Sequence, residues 1–304
     1  MKNSARFLFL LFLLAISIQI IGQEAQDTTV MWKITTNDGN SYFGRIVQKD
    51  TVFISLSTET LGTLVIRKSE IKAMDRILPT DIKEGKFWYP NLQSTRYFFS
   101  PNAYGLKKGE AYYQNIWIMF NQVSIGVIDN VSIGAGIVPL FMFAGGPTPV
   151  WVIPKVSLPI VKDKFAMGAG ALVGTVLGAE ESGFGIVYGL ATIGSRNTNL
   201  TAGLGYGYLS GDWAKRPVIT LSAFGRLSPR SYLITENYIF SGNETSVLLS
   251  FGGRSIINRI GIDYGLVVPI FNDMDSFAAF PWLGITVPMH KPKVDRRQKA
   301  GDEH

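Results

Sequence analysis

Between Thr95 and Met289 apolar residues alternate with small or polar ones in runs of about ten, each closed by a short polar turn. A period of two is the mark of a strand with two different faces. The runs predict twelve strands, near Thr95 to Pro101, Ala111 to Ile128, Val131 to Phe141, Pro149 to Ile160, Phe165 to Leu177, Phe184 to Ser195, Leu200 to Leu209, Pro217 to Leu227, Ser231 to Phe240, Ser246 to Arg254, Arg259 to Ile270 and Phe277 to Met289. In the run from Leu200, bulky Leu200, Leu204, Tyr206 and Tyr208 alternate with Thr201, Gly203, Gly205 and Gly207. Phe165, Met167 and Val173 alternate with Gly168, Gly170 and Gly174 in the same way. One bulky apolar face and one face of small residues suit an antiparallel up-and-down barrel in a bilayer, bulk toward lipid and the small set toward the lumen.

The turns orient this barrel. Bacterial barrels use an even number of strands, with tight turns on the periplasmic side and longer loops outside. Asp129-Asn130 is the tightest connection, so the long run from Ala111 should descend, and Thr95 to Pro101 should first carry the chain up. The turns Lys162 to Lys164, Arg196 to Asn199, Ser228 to Arg230 and Ser255 to Asn258 then fall inside. Loops around Asn102 to Glu110, Met142 to Thr148, Gly178 to Gly183, Ser210 to Arg216, Ser241 to Thr245 and Asn272 to Ser276 fall outside, too short to form a substantial plug. The run from Ala111 is irregular, because Asn115 and Asn121 share a phase with Val123 and Ile125, and a bulge is expected to reset it. A ten-stranded closure is the alternative.

The same phase puts Arg226, Glu236, Arg254 and Asp263 on the inner side of four consecutive strands, alternating in sign. A charge facing lipid near the midplane costs about 2–4 kcal/mol, so an inward ladder of cross-strand ion pairs is the cheaper arrangement. The competing reading places some of these charges at the rims, since Arg226 and Arg254 are close to turns.

Residues 1–22 read as a secretory signal: basic Lys2 and Arg6, an apolar run from Phe7 to Ile21, and small Gly22 before a mature chain starting near Gln23. A retained anchor is the rival, but no charge follows the run to hold it as a stop-transfer segment. Residues 23–79 follow a different grammar. Short alternating runs near Val30 to Thr36, Ser41 to Gln48, Thr51 to Ser57, Gly62 to Lys68 and Ile71 to Ile77 are punctuated by Asn37-Asp38-Gly39, Lys49-Asp50 and Gly62. Five short strands of this spacing look like an SH3-like or Sm-like module, with Gly44 at a sharp bend and Val52, Ile54 and Leu56 facing the core. Residues 80–93 form a linker ending in Phe87, Trp88 and Tyr89, which suits a membrane–water boundary or packing of the small module onto the barrel. The barrel spans 94–289, and 290–304 form a basic polar tail.

Composition narrows the functions. The chain has 32 glycines, 12% aromatic residues, 17% charged residues and no cysteine, which removes disulfides, thiol catalysis and lipoprotein anchoring. Its net charge of +6 falls to +4 without the signal, and the stretch from Glu24 to Arg76 balances seven acids with seven bases, so no nucleic-acid partner is expected. The two histidines, His290 and His304, both lie in the tail, so no serine–histidine–acid site or histidine metal site is expected in the barrel. Asp273 and Asp275 read as a polar turn rather than a calcium loop, and Glu180-Glu181 as a solvated loop. GLGYGYLSG lacks the following helix that a nucleotide site needs. No catalytic residue and no cofactor is expected, and no enzyme.

The runs SPNAYGLKKGEAYYQN, SIGVIDNVSIGAG, TPVWVIPKVSLPI and NLTAGLGYGYLSGDW resemble a family of outer-membrane β-barrel proteins from Bacteroidota. The resemblance covers nearly the whole barrel and implies fold and location but no substrate or site residues. The chain departs from many such barrels by continuing past Met289 rather than ending on an aromatic residue. The expected partners are outer-membrane lipid, the barrel-assembly machinery and a periplasmic or cell-wall component that meets the small module. Two functions follow: a narrow passive pore or transporter of small solutes, or a non-conducting barrel that anchors a periplasmic interaction domain.

Overall fold

A computed structural model describes residues 30–77, 82–83, 86–91, 93–180, 182–242, 245–257, 259–271 and 277–289. The expected signal, the tail from His290, Glu181, Asp273 and Asp275 lie outside the described residues. The chain forms two compact units that part between Phe87 and Trp88, inside the expected linker.

In the smaller unit, β1 (Met31–Thr36), β2 (Ser41–Lys49), β3 (Phe53–Thr58), β4 (Gly62–Arg67) and β5 (Ile71–Ile77) make one antiparallel sheet in the order β4-β3-β2-β1-β5. A two-stranded hairpin, β6 (Ile82–Lys83) and β7 (Lys86–Phe87), follows. Strand β2 pairs with β1 up to Gly44 and with β3 from Arg45 onward. A Cβ on Gly44 would lie 2.2 Å from the Ser57 carbonyl oxygen, so this crossing requires glycine. Ile34, Ile54, Leu56 and Ile66 form the core, packed by Trp32, Tyr42 and Ile46. Val52, expected on the core face, is exposed.

The larger unit is a closed barrel of twelve antiparallel strands: β8 (Ala111–Ile116), β9 (Phe120–Ile128), β10 (Val131–Ile137), β11 (Thr148–Val161), β12 (Phe165–Leu177), β13 (Phe184–Gly194), β14 (Thr198–Leu209), β16 (Val218–Arg226), β17 (Ser231–Ser241), β18 (Thr245–Ile257), β19 (Ile260–Ile270) and β20 (Phe280–Pro288). A two-residue strand, β15 (Asp212–Trp213), folds back on β14. Each strand pairs with the next, and β20 closes on β8 with Thr286 opposite Gln114. Outward Met167, Val173, Leu200, Leu204 and Tyr206 are exposed while inward Ala166 and Thr201 are buried, as the alternation predicts.

The number of strands matches the expectation, but two of its members do not. Thr95 to Pro101 is no barrel strand; it holds one isolated bridge, Arg96 to Pro101, and is buried except for half-buried Phe99 and Pro101. The run from Ala111 to Ile128 is two strands, β8 and β9, rather than one strand with a bulge. Trp117 (φ 51°) and Ile118 (φ 66°) form the hairpin turn between them, closed by the Met119 N–H on the Ile116 carbonyl at 3.1 Å. Two positive φ values make a type I′ turn, which normally takes Asn and Gly. Here Trp117 is held instead by its neighbour strand: its ring N–H donates to the Pro281 carbonyl at 2.7 Å and its ring packs 4.9 Å from Trp282. Asn115 and Asn121 share the outer phase because both bond this turn, at the Ile118 and Met119 carbonyls. The strand expected to reach Phe141 ends at Ile137, and Pro139–Phe143 forms a helical turn, α1, whose Leu140 to Phe143 are exposed.

Replacing one expected ascending strand by β8 leaves the parity intact. Asp129-Asn130 shares an end with the turns after β11, β13 and β16, here termed the turn end. Asn102 to Glu110 does not lie among the loops at the opposite end. The Asn130 N–H donates to the Leu106 carbonyl and the Gly109 N–H to the Gly126 carbonyl, which hold it to the turn end.

Candidate functional site: a barrel filled by its own chain

Eight strands leave an interior that wall side chains can fill, and 16–18 leave a water channel. A twelve-stranded wall falls between, and the chain itself occupies part of the difference. From Trp88 the segment enters at the turn end, rises into the lumen to the level of Ser100, and returns to start β8 at Ala111. Its middle is buried: Tyr97, Phe98, Asn102 and Ala103 are each at most 1% exposed.

The segment is tied level by level. At the mouth the Arg226 guanidinium donates to the carbonyls of Tyr89 and Pro229, both at 2.7 Å, and lies 4.6 Å from the Trp88 ring centre and 5.2 Å from that of Tyr232. Higher up, Arg254 donates to the carbonyls of Gln93 at 3.0 Å and Tyr97 at 2.7 Å, while its Nε meets Asp263 at 2.6 Å. The Tyr97 hydroxyl lies 2.6 Å from both Asn199 Oδ1 and Thr201 Oγ1. Near the turning point Glu236 accepts the backbone N–H groups of Phe99 at 3.0 Å and Ser100 at 3.1 Å, and the Tyr238 hydroxyl at 2.6 Å. On the descending limb Thr192 accepts the Ala103 N–H at 2.8 Å, Lys155 donates to the Tyr104 carbonyl at 2.6 Å, and Arg196 donates to the Gly105 carbonyl at 2.7 Å. Side chains from the wall thus satisfy a non-strand backbone that could not otherwise be buried.

All four residues of the expected charge ladder face inward, but their pairing is set by register. Arg254 stands directly opposite Asp263, and the two make an ion pair in which both are 1% exposed. Tyr232, not Glu236, lies between the arginines in the cross-strand row, opposite Arg226 on one side and Arg254 on the other. Glu236 sits two inward positions further toward the loop end, opposite Ser222. Three of the four, Arg226, Glu236 and Arg254, bind the inner segment. Sequence reasoning missed that segment, and with it Arg96, Tyr97, Lys155 and Thr192.

Above the segment remains a cavity of about 120 Å³, floored by Arg96, Phe99 and Pro101 and walled by residues of β8 to β14, β16 and β17, including Ser132, Lys155, Leu172, Ile186, Tyr188 and Val218. The surface it exposes is mainly apolar, although half of the residues around it are polar, Arg96, Lys155 and Tyr188 among them. The chain matches no protein-family model, no curated protein and no solved structure.

Proposed function

We propose that this protein is an integral outer-membrane β-barrel whose lumen is stoppered by residues 88–110 and which handles small solutes through the cavity above the stopper. The outward surface supports the membrane setting. Apolar side chains stand exposed on strand after strand around the barrel, from Val152 and Met167 to Phe251 and Leu283, whereas water-soluble monomers keep contiguous apolar patches to a few hundred Å². Strands β11 to β14 have 11 to 14 residues, enough for the roughly 9–11 that a tilted crossing needs. The turn end then faces the periplasm, as tight turns do in such barrels, and the small amino-terminal module is proposed to be periplasmic and, from its five-strand order, SH3-like. The kinship to Bacteroidota outer-membrane barrels belongs to the same proposal.

The observation that carries the solute reading is the inner segment: it closes the turn end and leaves a cavity above it. Movement of the segment is the gate. The density of its ties also favours a second reading, a permanently filled barrel that anchors the small module.

A disulfide separates the two. A Cβ built on Gly168 in β12 would lie 3.5 Å from the Cβ of Ala103 in the segment, within the usual disulfide range of about 3.5–4.5 Å, and the chain has no cysteine of its own. The Ala103→Cys, Gly168→Cys double variant of the mature chain should conduct intermittently in planar bilayers when reduced, close on oxidation, and reopen with reductant. Current indifferent to oxidation would remove the segment as the gate. No current from either state, nor from the wild type, would favour the anchor.

A further inference from the structure

The cavity above the stopper has a polarity that its wall does not resolve. Arg96 is 4% exposed and Lys155 6% exposed, and among the described residues neither has a carboxylate within 4.0 Å. Lys155 spends one hydrogen bond on the Tyr104 carbonyl, leaving two of its three ammonium donors uncommitted. Arg96 donates to Gln114 Oε1 and to the Phe99 carbonyl at 2.8 Å, but among the described residues its Nε–H is buried without a partner. The Tyr188 hydroxyl is likewise buried without a partner. Two acids act on Arg96 from the wall without touching it: Glu236, whose carboxylate is taken by Phe99, Ser100 and Tyr238, and Asp263, whose carboxylate is taken by Arg254. Arg96 and Arg196 act on Lys155 with the same sign of charge.

Register gathers these donors on one side of the lumen. Lys155 stands opposite Gly170, and Gly170 opposite Tyr188, so the three form one cross-strand row. Gly170 has no side chain to separate its neighbours, and the Tyr188 ring leans over it. A Cβ there would lie 2.5 Å from the Tyr188 hydroxyl oxygen. Arg96 comes from the inner segment and lines the same cavity. Leu172, Ile186, Leu190 and Val218 supply apolar wall beside them. Buried cations out of contact with any carboxylate are costly, and unpaired buried donors are rare, so their convergence marks a place for an anionic acceptor that the wall does not supply.

We infer that the cavity binds a short aliphatic carboxylate, with its head on Lys155, Arg96 and Tyr188 and its tail along Leu172, Ile186 and Val218. The inference rests on the reading of the lumen as a solute site and names the solute class. A carboxylate is a planar acceptor with about four lone-pair positions, which suits three donors arriving from different elements. A cavity of about 150 Å³ accommodates the six carbons of benzene, so about 120 Å³ holds roughly five heavy atoms, a carboxylate with a two-carbon tail. An inorganic anion would satisfy the donors but leave the apolar wall bare.

The test is binding of carboxyl-labelled propionate to the refolded mature chain in zwitterionic micelles, followed by NMR, with empty micelles as background and propanol as the neutral analogue. Propionate should saturate one site and bind at least tenfold tighter than propanol. Lys155→Met should weaken propionate at least tenfold and leave propanol unchanged. Tyr188→Phe, which keeps the ring, should weaken it about fivefold, the worth of one hydrogen bond of about 1 kcal/mol, and serves where Lys155→Met fails to fold. No saturable propionate binding, equal binding of propanol, or an unchanged affinity in folded Lys155→Met or Tyr188→Phe would overturn the inference. Failure here with oxidation-sensitive conductance in the disulfide variant would leave the gate standing and remove only the carboxylate. The converse result would remove the gate and keep the binding site.

Discussion

Arg254→Met is the most informative single change, because Arg254 holds two strands and the inner segment at once. Its side chain is 1% exposed, pairs with an equally buried Asp263 at 2.6 Å, and donates to two segment carbonyls at 3.0 and 2.7 Å. Methionine retains the aliphatic stem and removes the charge. Breaking one partner out of a buried pair costs about 3–5 kcal/mol, because the surviving charge stays buried. The orphaned carbonyls of Gln93 and Tyr97 add to that, at about 1–3 kcal/mol for each unsatisfied group. The single variant should therefore lose at least about 3 kcal/mol, read as the urea midpoint of the refolded barrel in micelles at unchanged slope. Arg254→Met combined with Asp263→Met leaves neither charge of the pair buried, only the two carbonyls, and should be more stable than Arg254→Met alone. The coupling in the double-mutant cycle should exceed about 2 kcal/mol. A loss under about 1 kcal/mol in Arg254→Met, or additivity within about 0.5 kcal/mol, would mean that the pair and the segment ties are not what hold this part of the lumen.

Three further changes probe other parts of the chain. Ile118→Gly should stabilise the barrel by about 1 kcal/mol, because Ile118 is a β-branched residue held at φ 66° and its side chain is 83% exposed, and a raised unfolding midpoint would show it. Gly44→Ala should unfold the small unit while leaving the heat-modifiable gel shift of the barrel intact, since the added methyl would sit 2.2 Å from a backbone oxygen that cannot move away cheaply. Asp50 accepts the N–H groups of Phe53 at 2.6 Å and Val52 at 2.7 Å in the β2–β3 turn, and these bonds hold its carboxyl below the ordinary value. The stabilisation is therefore complete above the unfolded-state value of about 3.9 and lost as pH falls through the lower folded-state value, so Asp50→Asn should flatten the acid limb of small-unit unfolding in the full chain.

The faces of the barrel were legible because a period of two survives in every long strand: Leu200 to Tyr208 and Phe165 to Val173 point where alternation puts them. Register was not, since phase tells which face a residue occupies and says nothing of what stands opposite. That is why Tyr232 rather than Glu236 separates Arg226 from Arg254. The Trp117-Ile118 turn carries no Asn or Gly to announce it; contacts from β20 impose it from outside the local sequence. The inner segment did leave a signal. Tyr97, Phe98 and Phe99 are consecutive rather than alternate, and they sit among Ser94, Ser100, Pro101 and Asn102, a loop's vocabulary around an aromatic cluster.

The segment also changes what the small inner residues mean. In an open barrel, lumen glycines simply leave room for water. Here several are sites of chain-to-chain contact: a Cβ on Gly126 would lie 2.1 Å from the Lys107 carbonyl oxygen, and one on Gly168 would lie 3.2 Å from the Ala103 Cα. Gly170 differs, because the space above it is crossed by Tyr188 beside Lys155 rather than by the segment. The inner face thus divides into glycines that seat the stopper and at least one that clears the cavity beyond it. A side chain at Gly126 would work against the proposed closure and one at Gly170 against the proposed occupancy, whereas the 3.2–3.5 Å around Gly168 admits a small one such as cysteine. The proposed gate and the proposed binding site therefore fall on different glycines of the inner face, and only the register of β9, β11, β12 and β13 tells them apart.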